Sequence, residues 1–127
     1  MLRKGIMAKR LLIVDDEETL TYSLYQSFIL SPNDYEVVTA GSGEEAIERM
    51  REAPFDLIIT DIFMPGISGF EVLDLVKKEY PDTEVVIMTA YGSSENKEKA
   101  LANGAKYYLE KPFEIKEFKK LVINILG

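Results

Sequence analysis

Apolar residues along the chain fall into two alternating textures. Short runs rich in β-branched side chains occupy Leu11–Val14, Val37–Thr39, Leu57–Thr60, Val85–Thr89 and Tyr107–Leu109. Near-continuous apolar runs of this length, bounded by turn formers, are the pattern of strands buried on both faces. The segments between them carry helical spacing instead. Phe118, Leu121, Val122 and Ile125 follow i, i+3, i+4, i+7, as do Gly69, Val72, Leu73 and Val76. Leu20, Leu24 and Phe28 recur every four residues. Such spacing gathers apolar groups on one face of a helix. Ser42-x-x-Glu45 and Ser68-x-x-Glu71 fit the capping box, and Gly104 is placed to end the fourth helix in a left-handed cap.

Strand then helix repeats five times, with no Pro/Gly/Ser-rich linker and no internal repeat. That alternation predicts one three-layer α/β domain: a parallel sheet, right-handed crossovers and helices on both faces. The length of 127 residues fits a single domain, and 46% apolar composition with 29% charged residues supplies a core and argues against disorder. The longest aliphatic run, Leu11-Leu12-Ile13-Val14, is far short of the roughly 18 residues of a bilayer span. Basic Arg3, Lys4, Lys9 and Arg10 are followed by no secretory apolar region, because Asp15 and Asp16 cut the run. A cytoplasmic location without membrane attachment is expected. Met7 is a second candidate start, and residues 1–8 read as an N-terminal extension to a domain over 9–127.

The absence of cysteine excludes disulfides, thiolate zinc sites and thiol nucleophiles, and suits a reducing compartment. The absence of histidine excludes a Ser-His-Asp triad, imidazole metal ligands and any histidine that could itself carry a phosphoryl group. Fifteen basic against 22 acidic side chains give a net charge of −7, which argues against direct nucleic-acid or anionic-membrane binding. Catalysis must rest on carboxylates, lysine, hydroxyls or a metal.

In open α/β sheets, ligands bind beyond the carboxyl ends of the strands, near the switch in strand order. The polar residues that directly follow the apolar runs are therefore informative. Asp15, Asp16, Glu17 and Glu18 follow the first, Asp61 the third, Thr89 ends the fourth, and Glu110 and Lys111 follow the fifth. One such aspartate is most often a turn former or helix cap. Glu17 and Glu18 fit the first turn of a helix, whose dipole favours acids, and Glu110 reads as solvated. The conjunction carries more weight: converging carboxylates repel and require a cation, and an all-oxygen set suits Mg2+. No twelve-residue calcium loop is present. Asp61 has the chemistry of a carboxylate nucleophile toward phosphorus, and Lys111 and Thr89 that of groups holding phosphoryl oxygens.

Val14-Asp15-Asp16-Glu17, Asp61-x-x-Met64-Pro65-x-x-x-Gly69, Thr89-Ala90 and Lys111-Pro112-Phe113 together resemble the receiver domain of two-component response regulators. The resemblance runs from about Lys9 to the C-terminus, and none of the core positions departs from the pattern. It implies a flavodoxin-like doubly wound (βα)5 sandwich with five parallel strands in the order 2-1-3-4-5. By position, it implies that Asp61 is the phosphoacceptor. Asp16 and Asp61 would ligate Mg2+ directly, Asp15 mostly through water, and the Phe63 carbonyl would complete the protein ligands. Thr89 and Lys111 would hold the phosphoryl group, and Lys111-Pro112 would be a cis peptide. Tyr108 would be a switch aromatic whose inward turn accompanies movement of Thr89, while Pro65, Gly69 and Pro112 would be structural.

The implied function is signal transduction: a sensor histidine kinase or histidine phosphotransfer protein supplies the phosphoryl group. A surface of the fourth helix, fifth strand and fifth helix then changes its affinity for an unknown downstream effector, as a monomer or a phosphorylation-dependent dimer. By the same resemblance, the side chains two residues beyond Asp61 and Thr89 would flank the route of the attacking water; here they are Phe63 and Tyr91, which cannot orient it as a carboxylate or amide would, so slow self-dephosphorylation is expected. Three readings compete. A phosphatase of the haloacid-dehalogenase type would need a second carboxylate where Phe63 stands, and a cap insertion. A flavin carrier would not place Asp15 to Glu18 in its phosphate loop. A non-phosphorylated binding scaffold on the same fold would keep only the architecture. No effector segment follows the fifth helix in this sequence.

Overall fold

A computed structural model describes residues 8–29 and 31–127. Apart from Ala8, the expected N-terminal extension lies outside the described residues. The strands are β1 (Lys9–Val14), β2 (Tyr35–Ala40), β3 (Leu57–Asp61), β4 (Glu84–Thr89) and β5 (Tyr107–Glu110). The helices are α1 (Glu18–Ile29), α2 (Gly43–Glu52), α3 (Gly69–Glu79), α4 (Ser94–Ala102) and α5 (Ile115–Leu126). All pairings are parallel, and the sheet order is β2-β1-β3-β4-β5. This is the expected flavodoxin-like arrangement. The reversal of order at β1 and β3 brings the ends of those two strands side by side.

Alternation along each strand divides the apolar core into two layers. Leu11, Ile13, Leu57, Ile59, Val86 and Met88 pack with Leu24 and Phe28 of α1 and Phe118 and Val122 of α5. The next residues along, Leu12, Val14, Ile58, Val85 and Ile87, pack with α2, α3 and α4 through Ala46, Met50, Val72, Leu73, Val76 and Ala100. Strands covered on both faces must be apolar at every position, which is why they read as runs. Complete burial of a ring such as Phe118 contributes about 3 kcal/mol.

Local polar groups set the helix ends. Ser68 and Glu71 form the expected reciprocal box: the Ser68 hydroxyl accepts from the Glu71 amide at 3.2 Å, and the Glu71 carboxylate accepts from the Ser68 amide at 2.9 Å. The Ser42 pair departs from expectation. Its hydroxyl accepts from the Glu45 amide at 3.0 Å, but the Glu45 carboxylate passes over Ser42 to accept from Gly41 at 2.8 Å. The other Glu45 oxygen faces Arg49 at 3.3 Å, one turn on. Gly104, at φ +103°, closes α4 in a Schellman motif. There the Ala105 amide donates to Ala100 at 3.0 Å and the Gly104 amide to Leu101 at 3.1 Å.

Gly69 opens α3 against the end of β3, donating its amide to the Ile62 carbonyl at 2.8 Å. A Cβ at this position would stand 2.0 Å from the Asp61 carbonyl oxygen and 2.9 Å from the Ile62 Cα. Both obstacles are backbone, so α3 would have to move. Gly69→Ala is expected to destabilise the fold by about 2 kcal/mol, lowering Tm by roughly 5–10 °C. Gly41→Ala, whose Cβ meets only a glutamate oxygen at 3.7 Å, should stay within about 0.5 kcal/mol of wild type. Urea and thermal unfolding of the two variants check this, and equal stabilities would contradict it.

Candidate functional site

Each site residue is delivered by the end of a strand. Asp15 directly follows β1, its amide held by the Ala40 carbonyl at 3.0 Å, and Asp16 begins the turn into α1. Asp61 closes β3, Thr89 closes β4, and Lys111 follows β5. Parallel strands in register line these ends up along one edge, where Asp61 lies opposite Met88 and Thr89 opposite Glu110. The Lys111 amide donates to the Thr89 carbonyl at 2.9 Å, continuing the β4–β5 ladder one residue further.

Asp15, Asp16 and Asp61 each offer a carboxylate oxygen, and those oxygens lie within 4.8 Å of one another. Asp15 and Asp61 are buried, whereas Asp16 is exposed. The Lys111 ammonium sits between the buried pair, 2.5 Å from Asp15 Oδ2 and 3.3 Å from Asp61 Oδ2. The remaining oxygens of the pair take backbone donors: Asp15 Oδ1 accepts from Glu17 at 2.9 Å, and Asp61 Oδ1 from Ile62 at 2.7 Å. Asp16 makes no hydrogen bond or ion pair with any described residue, and no described amide donates to the Phe63 carbonyl.

Burial pushes the Asp61 carboxyl above its ordinary pKa; Lys111 pulls it back and the neighbouring Asp15 charge pushes it up again. Burial works against the Lys111 charge too. Its hydrogen bond to Asp15 and the charges of Asp15 and Asp61 outweigh that and hold the ammonium above its ordinary value. The asymmetry has a simple source: the lysine faces two anions, whereas Asp61 faces one cation and one anion.

The donor set fits a small hard cation. It is all oxygen, with two anchored carboxylates and a third that is uncommitted among the described residues, gathered on a single edge. Such a cluster could hold a metal ion. The carbonyl-bearing loop is itself held in place. Gly66 takes φ +81°, and the Ile67 amide donates to Glu44 of α2 at 3.2 Å. Pro65 is exposed in that loop, and the Lys111-Pro112 bond is cis.

Thr89 is fully buried, and its hydroxyl accepts from the Tyr91 amide at 3.1 Å, which leaves its own proton to donate. Tyr108 turns inward, 8% exposed beside Ile87, while its neighbour Tyr107 is 49% exposed. The Tyr108 hydroxyl is buried without a hydrogen-bond partner among the described residues. Burial raises its pKa; the Ser93 backbone comes near enough to offset this slightly without an ordinary hydrogen bond, and the Glu110 charge adds to the rise. Gly92 leaves the space these groups occupy, since a Cβ there would stand 2.5 Å from Glu110 Oε2 and 3.2 Å from the Tyr108 oxygen.

Three participants escaped the sequence reading. Glu17 precedes α1 rather than lying in its first turn, and its carboxylate stands 3.8 Å from Lys111. Glu44 secures the loop after β3, and Gly92 makes room around Tyr108. Nothing in a lone acidic or glycine position signals such partners. A surface hollow between α1 and β2, bordered by Tyr22, Tyr25 and Thr39, carries none of the clustered carboxylates.

Comparison with known proteins agrees with this arrangement. The family profile described as "Response regulator receiver domain" matches residues 11–123. The response regulator protein FleR of Pseudomonas aeruginosa is 36% identical over 116 residues, covering 91% of this chain and 24% of FleR. The chain thus spans about a quarter to a half of the length of the curated relatives it matches. A CheY-like response regulator receiver domain protein from Methanospirillum hungatei superposes with a TM-score of 0.86 at 30% identity, covering 92% of each chain. The chemotaxis response regulator CheY4 of Vibrio cholerae gives 0.85 at 32% identity, covering 94% of this chain and 100% of CheY4. No helix among the described residues is long and apolar enough to cross a membrane. With the profile spanning nearly its whole length and the fold matching throughout, the chain belongs to the response regulator receiver domain family.

Proposed function

We propose that Asp61 accepts a phosphoryl group from the phosphohistidine of a sensor kinase or phosphotransfer protein, and that the acyl phosphate switches a partner-binding surface. The observation that carries this reading is Lys111 Nζ, 3.3 Å from Asp61 Oδ2 in a pocket of three converging carboxylates. A phosphoryl group on that oxygen would lie within reach of the ammonium. Asp61 Oδ2 forms the new bond to phosphorus as the donor's P–N bond breaks, with the electron pair leaving on nitrogen. The donor lies outside these 127 residues, which contain no histidine.

Mg2+, when bound, would be held by Asp15, Asp16, Asp61 and the Phe63 carbonyl and would supply positive charge to offset the carboxylates and the phosphoryl oxygens. The residues then have separate tasks. Lys111 pairs with a phosphoryl oxygen, and the free proton of the Thr89 hydroxyl donates to another. Thr89 and Tyr108 lie on one face of adjacent strands, so movement of Thr89 toward the new group would open space beside Tyr108. The unpartnered Tyr108 hydroxyl supports a second position for that ring, since a buried orphan donor costs about 1–3 kcal/mol.

The phosphatase alternative finds no support at Phe63, an aromatic 49% exposed where an acid/base carboxylate would be required. Intact mass after incubation with acetyl phosphate should rise by one phosphoryl group, only with Mg2+ and only while Asp61 is present. Labelling of Asp61→Asn at the wild-type rate would sink the assignment. Once formed, the acyl phosphate should be lost more slowly from wild type than from Phe63→Asn, whose amide can orient the attacking water. Faster loss from wild type would show that loop geometry, not these side chains, sets the lifetime.

A further inference from the structure

An asparagine side chain can be attacked by the backbone nitrogen of the residue that follows it. The attack needs close approach, and glycine, with no Cβ beside that nitrogen, allows it most readily. The asparagines of this chain are Asn33, Asn96, Asn103 and Asn124, followed in turn by Asp34, Lys97, Gly104 and Ile125. Asn103 alone has the permissive neighbour. Both Asn103 and Gly104 are exposed, so water and base reach them.

Asn103 also closes α4. Its backbone amide donates to the Lys99 carbonyl at 3.1 Å, and its side-chain Nδ2 donates to the same oxygen at 2.7 Å. The Gly104 amide donates to the Leu101 carbonyl at 3.1 Å. Within α4 itself only Ala100 is buried. Short helices draw most of their stability from a packed apolar face, so α4 depends on the contacts at its ends.

We propose that Asn103 is a site of spontaneous deamidation, gated by opening of the α4 end, and that its product loosens this helix. Base removes the Gly104 amide proton once the bond to Leu101 has opened, and the nitrogen bonds to Asn103 Cγ. The Cγ–Nδ2 bond breaks, and ammonia leaves with a proton returned to it. Water then opens the cyclic imide at either carbonyl, giving aspartate or isoaspartate. No oxidant or reductant takes part, and neither do the clustered carboxylates. The aspartate product sets an anion where a donor had faced the Lys99 carbonyl, at a helix C-terminus whose dipole disfavours negative charge. The isoaspartate product adds a carbon to the main chain and disrupts the closure at Gly104. Both hydrogen bonds to α4 carbonyls must open first, so the folded chain reacts more slowly than the unfolded one.

The test incubates the whole chain in mildly alkaline buffer, folded and in urea, and follows each asparagine by peptide mass spectrometry. Conversion at Asn103, read as a gain of about one dalton, should exceed that at Asn33, Asn96 and Asn124 by roughly tenfold in the folded protein and quicken in urea. Conversion at Asn103 no faster than at the other three overturns the site, and an equal rate in urea overturns the gating. Asn103→Asp reproduces the aspartate product, and Asn103→Ala removes the donor without adding charge. Amide hydrogen exchange in α4 should be roughly fivefold to tenfold faster in Asn103→Asp than in wild type, with Asn103→Ala between them. Because Asn103 is exposed, neither change should compromise folding. Exchange in Asn103→Asp equal to wild type overturns the loosening of α4.

Discussion

Two buried carboxylates share one lysine, and the functional edge of this domain is organised around that arrangement. Asp15 and Asp61 end neighbouring strands because β1 and β3 are adjacent at the switch in sheet order. Like charges no more than 4.8 Å apart repel by upwards of about 3 kcal/mol at an effective dielectric constant near 20. Lys111, brought across the sheet from β5, offsets that repulsion for the buried pair but leaves Asp16 without a partner among the described residues. The result is an edge with surplus negative charge and uncommitted oxygen ligands, which favours entry of a cation. A single ammonium pairs with both buried carboxylates and leaves the third uncompensated.

The rest of the fold keeps that edge in register. Glycine at position 69 lets α3 begin against the β3 carbonyls, and the Ser68–Glu71 box fixes where the helix starts. Glu44 ties the intervening loop to α2, so the Phe63 segment is tethered at a point beyond the strand as well as by the strand itself. On the far side, the β4–α4 loop runs past Thr89 to Gly92 and meets the Tyr108 ring from β5. Asp61 and the Thr89–Tyr108 pair are thus joined through adjacent strands rather than through a long path. A local change of charge can bias a nearby side chain with two positions.

The architecture was legible because strands buried on both faces must be apolar throughout, so Leu11–Val14 and Leu57–Thr60 stand out against the polar turns. Their polar extensions were not. Lys9 and Arg10 belong to β1, yet Arg10 is a charged residue whose side chain donates to the Ala53 and Pro54 carbonyls and pairs with Glu36. The cluster of Asp15, Asp16, Asp61 and Lys111 was readable because strand ends of a parallel sheet meet at one edge whatever the loops do. What depends on long side chains was not readable: Glu45 reaching past Ser42 to Gly41, Glu44 reaching the next loop, Glu17 approaching Lys111. Each has several rotamers of similar energy, and only tertiary surroundings select one. Tyr107 and Tyr108 carry identical side chains, and strand parity separates an exposed ring from a buried one.

The central claim is that the three carboxylates form a cation site because one lysine cannot neutralise them. The most direct measurement is Tm as a function of Mg2+ concentration for wild type and Asp16→Asn. A ligand bound only by the folded state raises Tm with its concentration. Wild type should therefore show a progressive rise that Asp16→Asn loses, because the exposed carboxylate has been neutralised without disturbing the buried pair. A Tm that Mg2+ leaves unchanged in wild type, or raises equally in both proteins, would contradict the account.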